Sequence, residues 1–135
     1  LLLDTNVCIA IMNRDERVRP HLEKHVPSAL RMSAITLAEL RFGAAKNTQP
    51  KRAVANLNAI LAKIGVVPFD DAATKRYGEL RALLEGRGSP IGPLDTFIAA
   101  HALSLHWTLA THNVREFRRV PGLVVVDWLA TAAAS

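Results

Sequence analysis

Short apolar runs alternate with longer segments of helical periodicity along this chain, and that alternation narrows its possible folds more than any other feature. Leu1 to Leu3 precedes Val7 to Asn13, Arg31 to Ile35 precedes Thr36 to Lys46 and Arg52 to Ile64, and Val66 to Phe69 precedes Asp71 to Glu85. Leu94 to Leu105 is then followed by Trp107 to Ala110 and Leu123 to Val126. Strands joined through helices return to the sheet in parallel. The pattern therefore predicts an α/β fold, a three-layer α/β/α sandwich around a mostly parallel sheet of about five strands.

The helices differ in kind. Val54, Leu57, Leu61 and Ile64 share one face, as do Tyr77, Leu80 and Leu84, so both segments read as amphipathic surface helices. Leu94 to Leu105 is apolar almost all round, with Asp95 its only carboxylate, and is expected at the centre of the fold. Pro20 and Pro27 bracket a short helix, and the Gly- and Pro-rich stretch from Gly86 to Pro93 reads as a loop leading into Asp95. At 135 residues the chain is expected to form one domain over 1–135, with a frayed tail at 131–135. It begins without methionine and inside an apolar run, so the first strand is expected to be longer in the parent protein. No apolar run reaches the roughly 18 to 20 residues that cross a bilayer. A lone Cys8 forms no internal disulfide, which fits a cytoplasmic location.

The chain carries 17 Lys and Arg against 12 Asp and Glu, a formal charge of +5, which makes a polyanionic partner plausible. Against this basic background three acids are placed alike: Asp4 ends the first strand, Glu39 falls in the first turn of the helix after the second, and Asp95 opens the central helix. In an open parallel sheet, strand C-termini and helix N-termini share one edge, so the three can converge. Clustered carboxylates raise one another's pKa unless a hard divalent cation holds them ionised. Each acid also has a structural reading. Thr36 to Glu39 matches a capping box, Asp4 can cap the helix near Val7, and Asp95 suits its helix dipole.

Other chemistries are excluded by what is missing. His101 and His106 lack a zinc pattern, and nothing matches a P-loop, a dinucleotide turn or a serine-hydrolase elbow. Cys8, Trp107 and Trp128 read as core or interface residues rather than as a nucleophile or base-stacking platforms.

Four segments in register carry a resemblance: Leu3-Asp-Thr-Asn6, Ala38-Glu-Leu-Arg-Phe-Gly43, Gly92-Pro-Leu-Asp-Thr-Phe-Ile-Ala-Ala100, and Leu109-Ala-Thr-His-Asn113 with Glu116-Phe117. Together they resemble the PIN-domain ribonucleases, and most closely the VapC toxins of toxin–antitoxin pairs. The resemblance implies a Mg²⁺ or Mn²⁺ site built from acids, with Asp4, Glu39 and Asp95 as ligands, and endonucleolytic cleavage of RNA that leaves 5′-phosphate and 3′-hydroxyl ends. The family's fourth acid falls at Asn113 here, which leaves open whether Asn113 or Glu116, three residues on, fills its role. It also leaves open whether one or two metals act. A weakened member that binds RNA or an antitoxin without efficient cleavage is the alternative reading.

Supporting roles are expected for Thr5, Asn6 and Thr111 in placing water or phosphate. Arg87, with Arg41, Lys46, Arg115, Arg118 and Arg119, is a candidate for a phosphate-binding rim. The resemblance further implies a VapB-type antitoxin, a homodimer and a toxin–antitoxin hetero-oligomer. Ile9, Ile11 and Met12, and Val54, Leu57, Ile60 and Leu61, are candidates for the antitoxin groove. Transfer RNA is the implied substrate, and Arg115 to Leu123 resembles the subgroup associated with the initiator species.

Overall fold

A computed structural model of the chain describes residues 1–131, so the tail expected to fray lies, beyond residue 131, outside the described residues. Five strands, β1 (Leu2–Leu3), β2 (Arg31–Ser33), β3 (Gly65–Val67), β4 (Leu109–Thr111) and β5 (Val125–Asp127), form one all-parallel sheet in the order β3-β2-β1-β4-β5. The helices are α1 (Thr5–Met12), α2 (Arg19–Glu23), α3 (Ala34–Ala45), α4 (Pro50–Leu61), α5 (Asp71–Gly86), α6 (Pro93–Leu105) and α7 (Val114–Phe117), with a 3₁₀ turn at Pro27–Ala29.

Side chains alternate across a strand, and both faces of this sheet are covered. Leu2 and Leu109 point into a core shared with Leu80, Leu84, Ile98, Ala99 and Phe117, beneath α5 and α6. Leu3 and Ala110 point the other way, into a core with Val7, Met32, Leu40, Leu57, Ile60 and Trp128 under α1, α3 and α4. The three-layer sandwich follows from that alternation. As its composition predicts, α6 is central, with Thr96 and Ile98 through Leu103 all buried.

Strand order reverses between β1, which leads outward to β2 and β3, and β4, which starts the run to β5. At such a switch point the connections leave the carboxyl ends of two neighbouring strands in opposite directions and open a crevice. Asp4 and Thr111 stand at those two ends.

Candidate active site

Asp4 sits where β1 gives way to α1. Its backbone N–H donates to the Ala110 carbonyl at 2.9 Å, and its own carbonyl accepts the N–H groups of Val7 and Cys8 that begin the helix. One carboxylate oxygen accepts the Thr5 N–H at 2.8 Å and the other accepts the Thr111 hydroxyl at 2.7 Å. Asp4 is therefore the N-cap of α1, and each oxygen keeps a lone-pair direction free. Burial pushes its carboxyl above the usual range, and the bonds from Thr111 and Thr5 pull against that.

Glu39 is placed differently from the capping-box expectation. Ser33 caps α3, its hydroxyl accepting the Ile35 N–H at 3.0 Å, so the helix starts at Ala34 and Glu39 lies in the second turn. From there it cannot return to the Thr36 amide. It accepts instead from the Thr5 hydroxyl at 3.2 Å, and the buried Thr36 hydroxyl lies 3.4 Å from the same Thr5 oxygen. Burial raises the Glu39 pKa, the charge of Asp4 adds to the rise, and the Thr5 bond opposes it.

Asp95 occupies the first turn of α6, whose N-cap is Gly92. The Asn113 side-chain amide donates to Asp95 at 3.0 Å and to Glu116 at 2.7 Å, and the other Glu116 oxygen accepts the Gly92 N–H at 3.0 Å. Asp95 is lifted to about 7, first by burial, then by its hydrogen bond with Glu116 and the charges of Asp4 and Glu116, with Asn113 opposing. Glu116 is lowered by Asn113 and the Gly92 amide, so of the two carboxyls Asp95 is the more readily protonated.

Asp4, Glu39, Asp95, Asn113, Glu116, Thr5, Asn6 and Thr111 are thus brought to one sheet edge. Thr111 joins the two halves of the site, donating to Asp4 and accepting the Asn113 N–H at 3.0 Å. The Asn6 side-chain amide oxygen accepts the His112 N–H at 3.2 Å, which ties α1 to the β4–α7 turn. Among the described residues no three acid, His or Cys side chains close into a ready ion-holding cluster; the carboxylates stand apart, coupled through charge.

The expected basic rim is less gathered. Arg87 is the exposed C-cap of α5, Arg119 donates to the Pro90 carbonyl at 3.3 Å, and the Lys46 ammonium lies over the Phe42 ring at 5.0 Å. Sequence reasoning missed the Gly92 amide, the Thr36 hydroxyl and the pairing of His112 with Asp127, since backbone donors and isolated polar residues leave no periodic signal. His101 and Cys8 are buried, the first bonded to Ser33 at 2.7 Å and the second with its thiol pushed up by burial, so both belong to the core.

The PIN domain profile matches residues 1–123, and with it the chain belongs to the PIN domain family. Among characterised relatives, the tRNA(fMet)-specific endonuclease VapC of Salmonella typhimurium is 39% identical over 128 residues, 94% of this chain and 96% of that protein. Ribonuclease VapC2 of Rickettsia felis is 35% identical over 129 residues, again 94% of this chain and 96% of its own length. The DNA-bound VapBC complex of Salmonella typhimurium superposes with a TM-score of 0.89 at 39% identity, covering 94% of this chain and 96% of the matched one. The VapBC2 complex of Rickettsia felis, bound to a fragment of its promoter DNA, gives 0.86 at 32% identity, with 94% and 97% covered.

Proposed function

We propose that this chain is the toxin of a toxin–antitoxin pair, an endoribonuclease that hydrolyses RNA phosphodiester bonds with a divalent cation held by its acid cluster. The observation that carries this reading is the gathering of Asp4, Glu39, Asp95 and Glu116 at the β1–β4 switch point, with the first three pKa values raised. That group of buried and half-buried carboxyls, offering only oxygen donors, fits a hard cation such as Mg²⁺, with Mn²⁺ as substitute.

Asp4 and Asp95 would hold the ion, with Glu39 as a third ligand or through water, and water and phosphate oxygens completing the shell. Bound there, it supplies positive charge against the scissile phosphate and makes a coordinated water more acidic. Thr111 and the Thr5 amide fix the Asp4 carboxylate in position. The Glu39 oxygen not engaged by Thr5 is the acceptor for a proton from the attacking water. Asn113 carries no charge of its own and holds Asp95 and Glu116 side by side, so Glu116 takes the fourth acid's place. This arrangement favours an active nuclease over a binding-only member.

The substrate is proposed to be initiator transfer RNA, as the names of the Salmonella and Shigella relatives state for those proteins. A VapB-type antitoxin is the proposed restraint, within a homodimeric toxin and a toxin–antitoxin hetero-oligomer. Its seat is a groove of about 510 Å³ between α1, α2 and α4, lined by Ile11, Met12, Val18, Leu22, Ile60 and Ile64. Of the residues expected on the groove, Ile11, Met12 and Ile60 line it, whereas Ile9 and Val54 are exposed outside it and Leu57 and Leu61 pack with the core instead. No helix among the described residues is long and apolar enough to cross a membrane, and a cytoplasmic site of action is part of the proposal.

RNA cleavage by the purified, antitoxin-free protein in Mg²⁺, Mn²⁺ or EDTA tests the reading, with Asp4→Asn and Asp95→Asn checked for intact folding. Metal-dependent cutting that leaves 5′-phosphates and is lost in both variants is the expected result. Cyclic 2′,3′-phosphate ends, or cutting that survives EDTA, would sink it.

A further inference from the structure

His112 lies outside the acid cluster yet is bound to it on both sides by single peptide links. Thr111 before it touches Asp4, and Asn113 after it touches Asp95 and Glu116. Its own N–H is fixed to Asn6, which follows Asp4-Thr5 at the start of α1. The backbone of His112 is therefore fixed beside the crevice, between the residue that bonds Asp4 and the residue that bonds Asp95.

The ring is also held in one orientation. Nδ1 lies 3.1 and 3.3 Å from the two oxygens of Asp127, at the end of β5 beside β4. Asp127 is itself anchored by the Leu129 N–H at 2.8 Å, and its side chain is 25% exposed against 53% for His112. An ionised carboxylate only accepts, so Nδ1 carries the hydrogen and Nε2 is left facing away from Asp127. The arrangement presents Nε2, a lone-pair acceptor, to solvent beside a site whose proposed substrate carries 2′-hydroxyl donors.

We infer that His112, oriented by Asp127, accepts a hydrogen bond at Nε2 from a ribose 2′-hydroxyl of the RNA next to the scissile phosphate and positions the strand beside the acidic residues. This assignment rests on the RNA-cleaving reading above and adds to it a binding residue that is not an acid. The competing reading is a latch that only joins the ends of β4 and β5.

Two isosteric substitutions separate them. His112→Asn keeps an amide able to reach Asp127 in place of Nδ1 but removes the Nε2 acceptor, whereas His112→Gln offers an amide oxygen as acceptor near the Nε2 position. Steady-state cleavage of a transfer RNA transcript by the antitoxin-free protein in Mg²⁺, with thermal melting alongside, gives KM, kcat and Tm for each. For a substrate contact, His112→Ala and His112→Asn both raise KM about tenfold with kcat changed less than about threefold, the loss of one good polar contact, and His112→Gln recovers much of it. Asp127→Ala falls between, because the ring loses its orientation and not its chemistry. KM unchanged in His112→Ala, or lost and restored together with Tm and rescued by Asn instead of Gln, overturns the assignment while the nuclease stands. A folded wild type that neither binds nor cuts RNA overturns both.

Discussion

Asp4 and Asp95 are held in different ways. Asp4 is 4% exposed and fixed by a backbone amide and by a hydroxyl from the adjoining strand. Asp95 is half-buried in the first turn of α6 and steadied by the side chain of Asn113, which shares its amide with Glu116 on a four-residue helix. One carboxylate is built into the sheet, and the other belongs to a small group of side chains that can rearrange when its charge changes. On the proposed function, the rigid half sets where chemistry takes place, and the adjustable half holds the more readily protonated carboxyl, which must ionise before a cation binds.

If that division holds, the largest effect comes from the rigid half. Asp4→Asn is expected to lower cleavage by about a hundredfold or more, measured as kcat/KM, while folding is preserved because an asparagine can still accept from the Thr5 amide. Thr111→Val comes next. It leaves a buried Asp4 oxygen and the Asn113 N–H without partners, at a cost of about 1 to 3 kcal/mol in denaturant unfolding and about tenfold to a hundredfold in activity.

The adjustable half is exposed by pH. The pKa values of Asp95, Asp4 and Glu39 are raised in the folded protein, so their protonated forms favour folding at acid pH. That contribution is lost as pH rises through the folded values, about 7 for Asp95. The Tm of metal-free protein should fall between the ordinary carboxylate range and about pH 7. Asp95→Asn should flatten that fall, and a saturating divalent ion should reverse it. A Tm independent of pH over this range would deny that burial, with neighbouring charge, raises these carboxyls.

Smallest is Asn113→Asp, which replaces a shared donor with a third acid beside Asp95 and Glu116. The metal-free protein should melt a few degrees lower, and Mn²⁺ should raise its Tm by more than in the wild type. Equal metal responses would show that Glu116 already satisfies the fourth position.

The layers, the parallel sheet and the central position of α6 were legible because burial on both faces of a sheet writes itself into apolar runs. Strand ends were not. The runs Trp107 to Ala110 and Leu123 to Val126 stop short of Thr111 and Asp127, which close β4 and β5, because those last residues are polar. They are polar because they serve the sheet edge, Thr111 by bonding Asp4 and Asp127 by holding His112. The same logic hid Ser33, which ends β2 and caps α3 two residues before the apolar run closes at Ile35. Asp4 and Asp95 were legible from their positions at element boundaries, and Asn113 was singled out by the resemblance, whereas Glu39 lies a turn further into its helix than its capping pattern suggested. The bonds among them were not legible, since Thr36, Asn113 and Gly92 act between distant segments, and α7 is too short to show a helical period.

The pairing of β1 with β4 joins residue 2 to residue 109 and is the seam along which the acid cluster closes. A nascent chain that has released α1 and α3 from the ribosome carries Asp4 and Glu39, but lacks the strand that fixes Asp4 and the helices that bring Asp95 and Glu116. Contacts so distant in sequence form late. Assembly of the proposed site is therefore tied to the completion of synthesis: a polypeptide that stops before β4 and α7 has no means of bringing Asp4, Asp95 and Glu116 to one edge.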